Sequence, residues 1–437
     1  MKNFAGITII ALYAWIITSC TSLESLASSI SSSAGAVSSI TPDTSGIPAH
    51  TWTKIIGSSA EDGIRAIVAP NNDAAYVAGF AYDSFLNVTN QGYEDVIVAK
   101  YSSNGSLLWL QSFGSPQGDS GLGICADSND NIYVTGTTWS NLNGGTNKGQ
   151  QDAVLMKIDS SGNLKWSVQY GTITADAGQK VVYSKGYVYV IGMTSWTMEG
   201  ASNIGQQDAF LTKFDLNGNL IWNRLYGTTM IDGGYGITAS PAGDIYITGF
   251  FRTNMGSTTN NYTYLIKVDE AGNTVWTKGY SPESTSSGTA LASDASGIYM
   301  CGSPGAGFMG GTNGCFFTMK LDFDGNPLWT RVTGSTNGGR VWNIAVSPGG
   351  SVYTTGEYYP GAGGLNLYMV ALVKHASDGT SLGLVTNDSP YNDGGYGVAV
   401  SPNGSVWVAG NTAGSLNGAT KPTAQNSYDA FVSYFGK

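Results

Sequence analysis

Carboxylates at a fixed spacing are the first chemistry this chain presents. Asp62, Asp119, Asp176, Asp232 and Asp393 stand five residues before Ile67, Ile124, Val181, Ile237 and Val398, each in a similar local sequence. Ser286 and Gly339 fill the same place before Leu291 and Ile344. Gathered round one axis, the five would form a carboxylate ring at a channel mouth, hard oxygen donors that could hold a cation such as Ca²⁺. The competing role is local, because an Asp before a strand accepts hydrogen bonds from the N–H groups of its own loop, and a repeated loop repeats its Asp. The local role is the expectation, with no resident metal or cofactor. A second series, Asp95, Asp152, Asp208 and Asp429, is followed in three copies by Lys100, Lys157 and Lys213. Groups repeated copy after copy are expected to fasten the fold.

Nucleophilic or histidine-based catalysis has little to draw on. His50 and His375 are the only histidines, and no H-E-x-x-H or C-x-x-C motif occurs. The chain is therefore read as a non-enzyme. The alternative is a lyase or hydrolase built from one-off residues, for which Arg252, Glu357 and Tyr359 are the candidates.

The positioning elements follow from an internal repeat. Trp52, Trp109, Trp166, Trp222, Trp276 and Trp329 are 53 to 57 residues apart. Each opens the same succession of four short runs rich in Val, Ile, Tyr and Thr, separated by turns such as Asp159-Ser160-Ser161-Gly162-Asn163. Such runs predict strands joined by tight hairpins. Four-stranded units repeated radially make a propeller, and seven copies predict a seven-bladed, all-β one. Runs with small residues, such as Gly236-Ile237-Thr238-Ala239, suit the crowded axis and become strand A; NIYVTG-like runs are B, Asp-initiated runs C, and Trp-bearing runs the outer D. The last copy lacks its own Trp strand, so the segment around Trp52 is expected to complete it and close the ring.

Loops between B and C are the longest and least repetitive, and they share one face with the D-to-A connections. Tyr82, Trp139, Trp196 and Tyr359 lie there as candidate ligand-binding residues, since aromatic rings supply area and neighbouring amides supply directional bonds. A protein or glycan partner fits this composition. Monomeric behaviour is expected.

Composition agrees with a folded, turn-rich chain: 61 of 437 residues are glycine, about double the usual ~7%, while only 11% are charged. Net charge is -10, with no Lys/Arg cluster, which argues against nucleic acid. Residues 1–19 read as an export signal, with Lys2 followed by an apolar stretch from Phe4 to Thr18. Ile17-Thr18-Ser19-Cys20 resembles a bacterial lipobox, which implies lipidation of Cys20. Residues 20–49 then form a Ser-rich tether, and 50–437 the propeller. The expected address is the cell envelope, at the outer membrane or cell surface, with membrane contact through the lipid alone. Cys301 and Cys315 flank one predicted hairpin loop and could pair; otherwise, with Cys125, they are buried thiols.

The order of Asn131-Ile132-Tyr133-Val134-Thr135-Gly136, then Asp208-Ala209-Phe210-Leu211-Thr212-Lys213, then a Gly-Asn-Leu turn before Trp resembles the bacterial seven-bladed β-propeller repeat (SBBP) family, often found on exported lipoproteins. The resemblance spans residues 50–437 and is weaker in blades five and six, where Cys315 replaces the strand C Asp and Leu367-Tyr368-Met369 is altered. It implies a fold and an export route but no shared activity.

Overall fold

The computed structural model describes residues 46–436, apart from 85, 256–257, 281–284, 305–314, 335–337, 360–366, 388, 390 and 423–426. Twenty-eight strands among the described residues form seven four-stranded antiparallel sheets. Blade 1 runs A to D through Asp62–Val68, Ala74–Ala81, Asp95–Ser102 and Leu107–Phe113. Blade 7 takes Asp393–Val400, Val406–Thr412 and Asp429–Gly436 from the C-terminus, and its strand D is the N-terminal Ala49–Ile56. Trp52 pairs with Tyr434 in that closure and packs against Trp407 and Tyr434, each with ring centroids 5.6 Å away. The ring thus hides the last blade's outer edge. Cys20 and the export segment lie outside the described residues. Within the expected tether, Ile47 is buried against Tyr353 and Val398 of blades 6 and 7.

The repeated Trp and the repeated turn Gly are partners across blade boundaries. Each C-to-D turn Gly has a positive φ, for example Gly105 at 87° and Gly162 at 91°, which only glycine adopts without strain. A Cβ on Gly105, Gly162 or Gly218 would lie 3.0 to 3.2 Å from the indole of Trp52, Trp109 or Trp166, which belongs to the preceding blade. Those indoles donate Nε1–H to the carbonyls of Ser103, Ser160 and Leu216 in the same turns, at 2.9, 3.1 and 3.1 Å. Lys100 and Lys157 of strand C reach the Ser160 and Leu216 carbonyls as well, both at 3.3 Å. Each Lys also lies over a strand B tyrosine, Tyr76 at 4.8 Å and Tyr133 at 5.3 Å. At the closing boundary blade 7 has no continuous C-to-D turn. There Gly46, with φ 86°, sits against Leu382, and its carbonyl accepts from Lys374 of blade 6.

The two Asp series meet at the other ends of these boundaries. Asp119 N–H donates to Glu94 O at 2.7 Å, Asp176 to Gln151 O and Asp232 to Gln207 O at 2.8 Å, so strand A of one blade is pinned beside strand C of the last. This pairs Asp429 with Asp62, Asp95 with Asp119, Asp152 with Asp176 and Asp208 with Asp232, each pair close enough for one charge to perturb the other. The intervening glycine has no room for a side chain: a Cβ on Gly171 would lie 2.7 Å from Asp176 Oδ2 and 2.8 Å from Asp152 Oδ1. Apart from Asp429, these carboxylates accept from the N–H four residues before them, as with Ser115 N to Asp119 at 2.6 Å and Lys148 N to Asp152 at 2.8 Å. The alternative of an open ring at the channel mouth is not what these side chains make. Asp62, Asp119, Asp176, Asp232 and Asp393 are buried, each turned into its own blade boundary. No cluster of three or more metal-ligating residues occurs among the described residues.

Cys125, Cys301 and Cys315 are free thiols. Cys301 faces Thr318 across the hairpin, three residues from Cys315, so the register keeps the two sulfurs from pairing.

Two predictions follow from these fastenings. Trp109→Phe keeps the ring on Gly162 but loses the donor to Ser160, and should cost about 1 kcal/mol, whereas Trp52→Ala should cost about 3–5 kcal/mol; denaturant unfolding measures both. The second concerns pH. Burial, reinforced by the Asp429 charge, pushes Asp62 up to about 7 despite hydrogen bonds from Ser58, and burial likewise raises Asp119, Asp176, Asp232 and Asp393. A folded-state pKa above the unfolded one means that the fold binds more protons, so stability is greatest near pH 4 and falls as pH rises toward 8. Melting temperatures across that window should decline for the wild type and decline less for Asp62→Asn.

Candidate functional site

Strand A carries a β-bulge in every blade. The register slips at Ile64/Ala66, Gly121/Gly123, Gly178/Lys180 and at the same place in the other four blades. The extra residue has no partner on strand B, and a bulge re-aims its side chain. Arg65, Tyr235, Trp342 and Tyr396 are the large residues at this level; Leu122, Gln179 and Thr289 complete it, and all seven are half-buried. Neighbouring positions repeat small residues, whereas this one holds six residue types in seven blades, with only Tyr occurring twice.

Arg65, Trp342 and Tyr396 form a connected cluster near the B-to-C loop face, while Tyr235 packs on Phe250. The Arg65 guanidinium lies 4.4 Å from the ring centre of Tyr396 and 5.0 Å from that of Phe80. Tyr396 packs on Trp342 at 5.7 Å, and its hydroxyl donates to Glu357 Oε1 at 3.1 Å. Burial and the Glu357 charge push Tyr396 up to about 12. Trp342 Nε1 is buried without a hydrogen-bond partner, a donor available to an incoming acceptor.

Loops of blades 2, 3 and 7 share one folded form. Thr138, Thr194 and Thr412 donate to the carbonyl two residues on, at 2.9, 3.1 and 2.8 Å. Leu142, Met198 and Leu416 are buried beneath and anchor the loops. Trp139 and Trp196 occupy adjacent places in that form, and each is 51% exposed. Trp139 lies against the Glu94–Gly118 bridge between blades 1 and 2, since a Cβ on Gly118 would lie 3.6 Å from its ring and 3.8 Å from Glu94. Tyr82 hydrogen-bonds Glu94 and meets the exposed Tyr93 edge-on at 5.1 Å. Burial, with the Glu94 charge, pushes Tyr82 up to about 12. Tyr82, Tyr93 and Trp139 thus form one patch at the boundary of blades 1 and 2, and Trp196 follows on blade 3. Tyr359 stands apart on blade 6, where its ring lies 5.6 Å from that of Tyr368.

The candidate catalytic residues are held by different partners. Arg252 Nε donates to Asn261 Oδ1 at 2.9 Å in blade 4, whereas Glu357 is engaged by Tyr396 in the throat. Sequence reasoning missed the bulge residues and Tyr93. The available signal was a position three residues after the strand A Asp that varies amid repeated small residues.

Residues 108–143, from the outer strand of blade 1 through strands A and B of blade 2, match the SBBP beta-propeller repeat. The chain is similar to the regulatory protein FlaEY of Caulobacter vibrioides, with 24% identity over 80% of this chain and 36% of that protein. It also resembles the uncharacterized WD repeat-containing protein L264 of Acanthamoeba polyphaga mimivirus, with 22% identity over 46% of this chain and 19% of that one. The chain therefore spans about a third and a fifth of the lengths of these curated relatives. Among solved structures, the WD40 beta propeller domain of Doa1 aligns over 89% of this chain and 97% of that one, at 11% identity and a TM-score of 0.49. The chain is a seven-bladed β-propeller, and its residues 108–143 are similar to the SBBP beta-propeller repeat.

Proposed function

We propose that the chain is an exported, lipid-anchored interaction module that takes a protein partner on its B-to-C loop face. The observation that carries this is the exposed aromatic surface of Tyr93, Trp139 and Trp196, presented by loops that buried Leu142 and Met198 hold in place. Exposed tryptophans on a rigid base lose little entropy on binding and are typical hot spots of protein interfaces. Glu94 and the exposed Asn141 edge the patch with directional polar groups. The regulatory name of the Caulobacter relative is in keeping with a protein partner.

Panning a peptide library and a glycan array with the propeller should yield peptides whose affinity falls at least tenfold in the Trp139→Ala/Trp196→Ala variant, about 1.4 kcal/mol or more. Glycans as the bound class, or equal binding by that variant, would overturn the reading. The lipid anchor rests on Lys2, the apolar stretch after it and Cys20. Cys20→Ser should move the protein from the detergent phase to the aqueous phase on phase separation, because buried acyl chains supply about 0.8 kcal/mol per CH₂.

A further inference from the structure

The second mouth of the axis, on the side of the A-to-B turns, holds a cavity of about 400 Å³ walled by strand A of all seven blades. We propose that this cavity binds a small organic anion, a carboxylate or phosphate carried on a compact apolar body, with Lys180 as its counter-charge.

The position that carries Lys180 is occupied elsewhere by Ala66, Gly123, Gly236, Ala290, Asn343 and Gly397. Small residues are required there because neighbouring A strands nearly touch: a Cβ on Gly123 would lie 2.9 Å from the Lys180 Cα. A long cationic side chain in this ring therefore has no role in packing that its six counterparts share. The Lys180 ammonium makes no hydrogen bond or ion pair among the described residues, and no residue lining the cavity is acidic. Its charge is felt by Cys301 of blade 5 and Arg65 of blade 1, two blades away on either side, which puts the ammonium near the axis. Burial, only partly opposed by Cys301 and aided by Arg65, pulls Lys180 down to about 8, the behaviour of a buried cation that lacks a counter-ion.

Other donors and walls match the same ligand. Asn343 accepts from Ile344 N at 2.8 Å through Oδ1, which leaves its amide N–H groups for the cavity it lines. Each strand A is the inner edge of its sheet, so unpaired backbone N–H groups also face the axis. Ile67, Val181, Ile237 and Leu291 supply apolar wall. The volume is that of a small-molecule site. An inorganic ion would leave those walls in contact with water, and a neutral ligand would leave the ammonium unpaired.

Titration calorimetry with hexanoate, hexyl phosphate and neutral hexanol tests this on the intact propeller. At least one of the two anions should saturate a single site per chain, and whichever binds identifies the headgroup. Lys180→Gln, which keeps length and polarity, should weaken that anion at least tenfold while hexanol binding stays within about twofold, since a hydrogen bond to a charged group is what is lost. Lys180→Arg should retain anion binding and guards against a variant that simply misfolds. Absence of saturable binding by both anions, or equal affinity in Lys180→Gln, would overturn the proposal.

Discussion

A single kind of contact organises the ring: the turn between strands C and D of one blade is held by the Trp and Lys of the blade before it. The indole lies on the turn glycine, its N–H meets the turn carbonyl, and the Lys ammonium shares that carbonyl while covering a strand B tyrosine. Neither half of the contact can be satisfied inside one blade. A single four-stranded sheet would expose the Trp face and leave the turn carbonyl to water, so stability accrues only as blades are added, as expected for a repeat architecture. Gly46 shows how strict the requirement is. Where the chain's own ends interrupt the seventh C-to-D turn, an N-terminal glycine with the same positive φ supplies the missing carbonyl to Lys374.

At the opposite ends of the blades, fastening is done by charge that the fold partly suppresses. Two carboxylates face each other across four boundaries, and at two of the other three boundaries both members are missing: Tyr262 faces Ser286, and Cys315 faces Gly339. Loss of both partners together is what a paired role requires. Asp95, Asp119, Asp152 and Asp176 each keep one buried oxygen without a donor, and neighbouring buried carboxylates resist joint ionisation. The same residues that suggested an open cation ring therefore act as buried clasps between blades.

With both ends clasped, the middle of strand A is free to vary. The bulge places seven residues of six types around the throat, and the next residue adds Lys180 to a ring otherwise made of Gly, Ala and Asn. Function on this scaffold is thus carried by exceptions to the repeat: Arg65, Trp342 and Tyr396 above, Lys180 below, and Trp139 and Trp196 on the loops. The two mouths differ in character, one aromatic and hydrogen-bonded to Glu94 and Glu357, the other aliphatic with an unpaired cation.

Blade number, strand order and ring closure were legible in the residues themselves, because they depend on local patterns: alternating β runs, Asp and Gly at turns, and a Trp strand left over at the N-terminus. The loop position of Trp139 and Trp196 followed from the same meander, whereas their exposure did not, since either ring could have folded back over its own blade. What touches what across blades was not legible. Trp109 and Gly162 are 53 residues apart and meet only because closure sets successive blades side by side, and Asp119 is buried only because Asp95 and its loop are packed over it. The bulge depends on a one-residue slip of register that leaves composition unchanged, and Lys180 reads as an ordinary surface lysine until seven strands converge on one axis. Local sequence thus determined the units, while burial and charge, which depend on neighbours supplied by the ring, were decided by the tertiary structure alone.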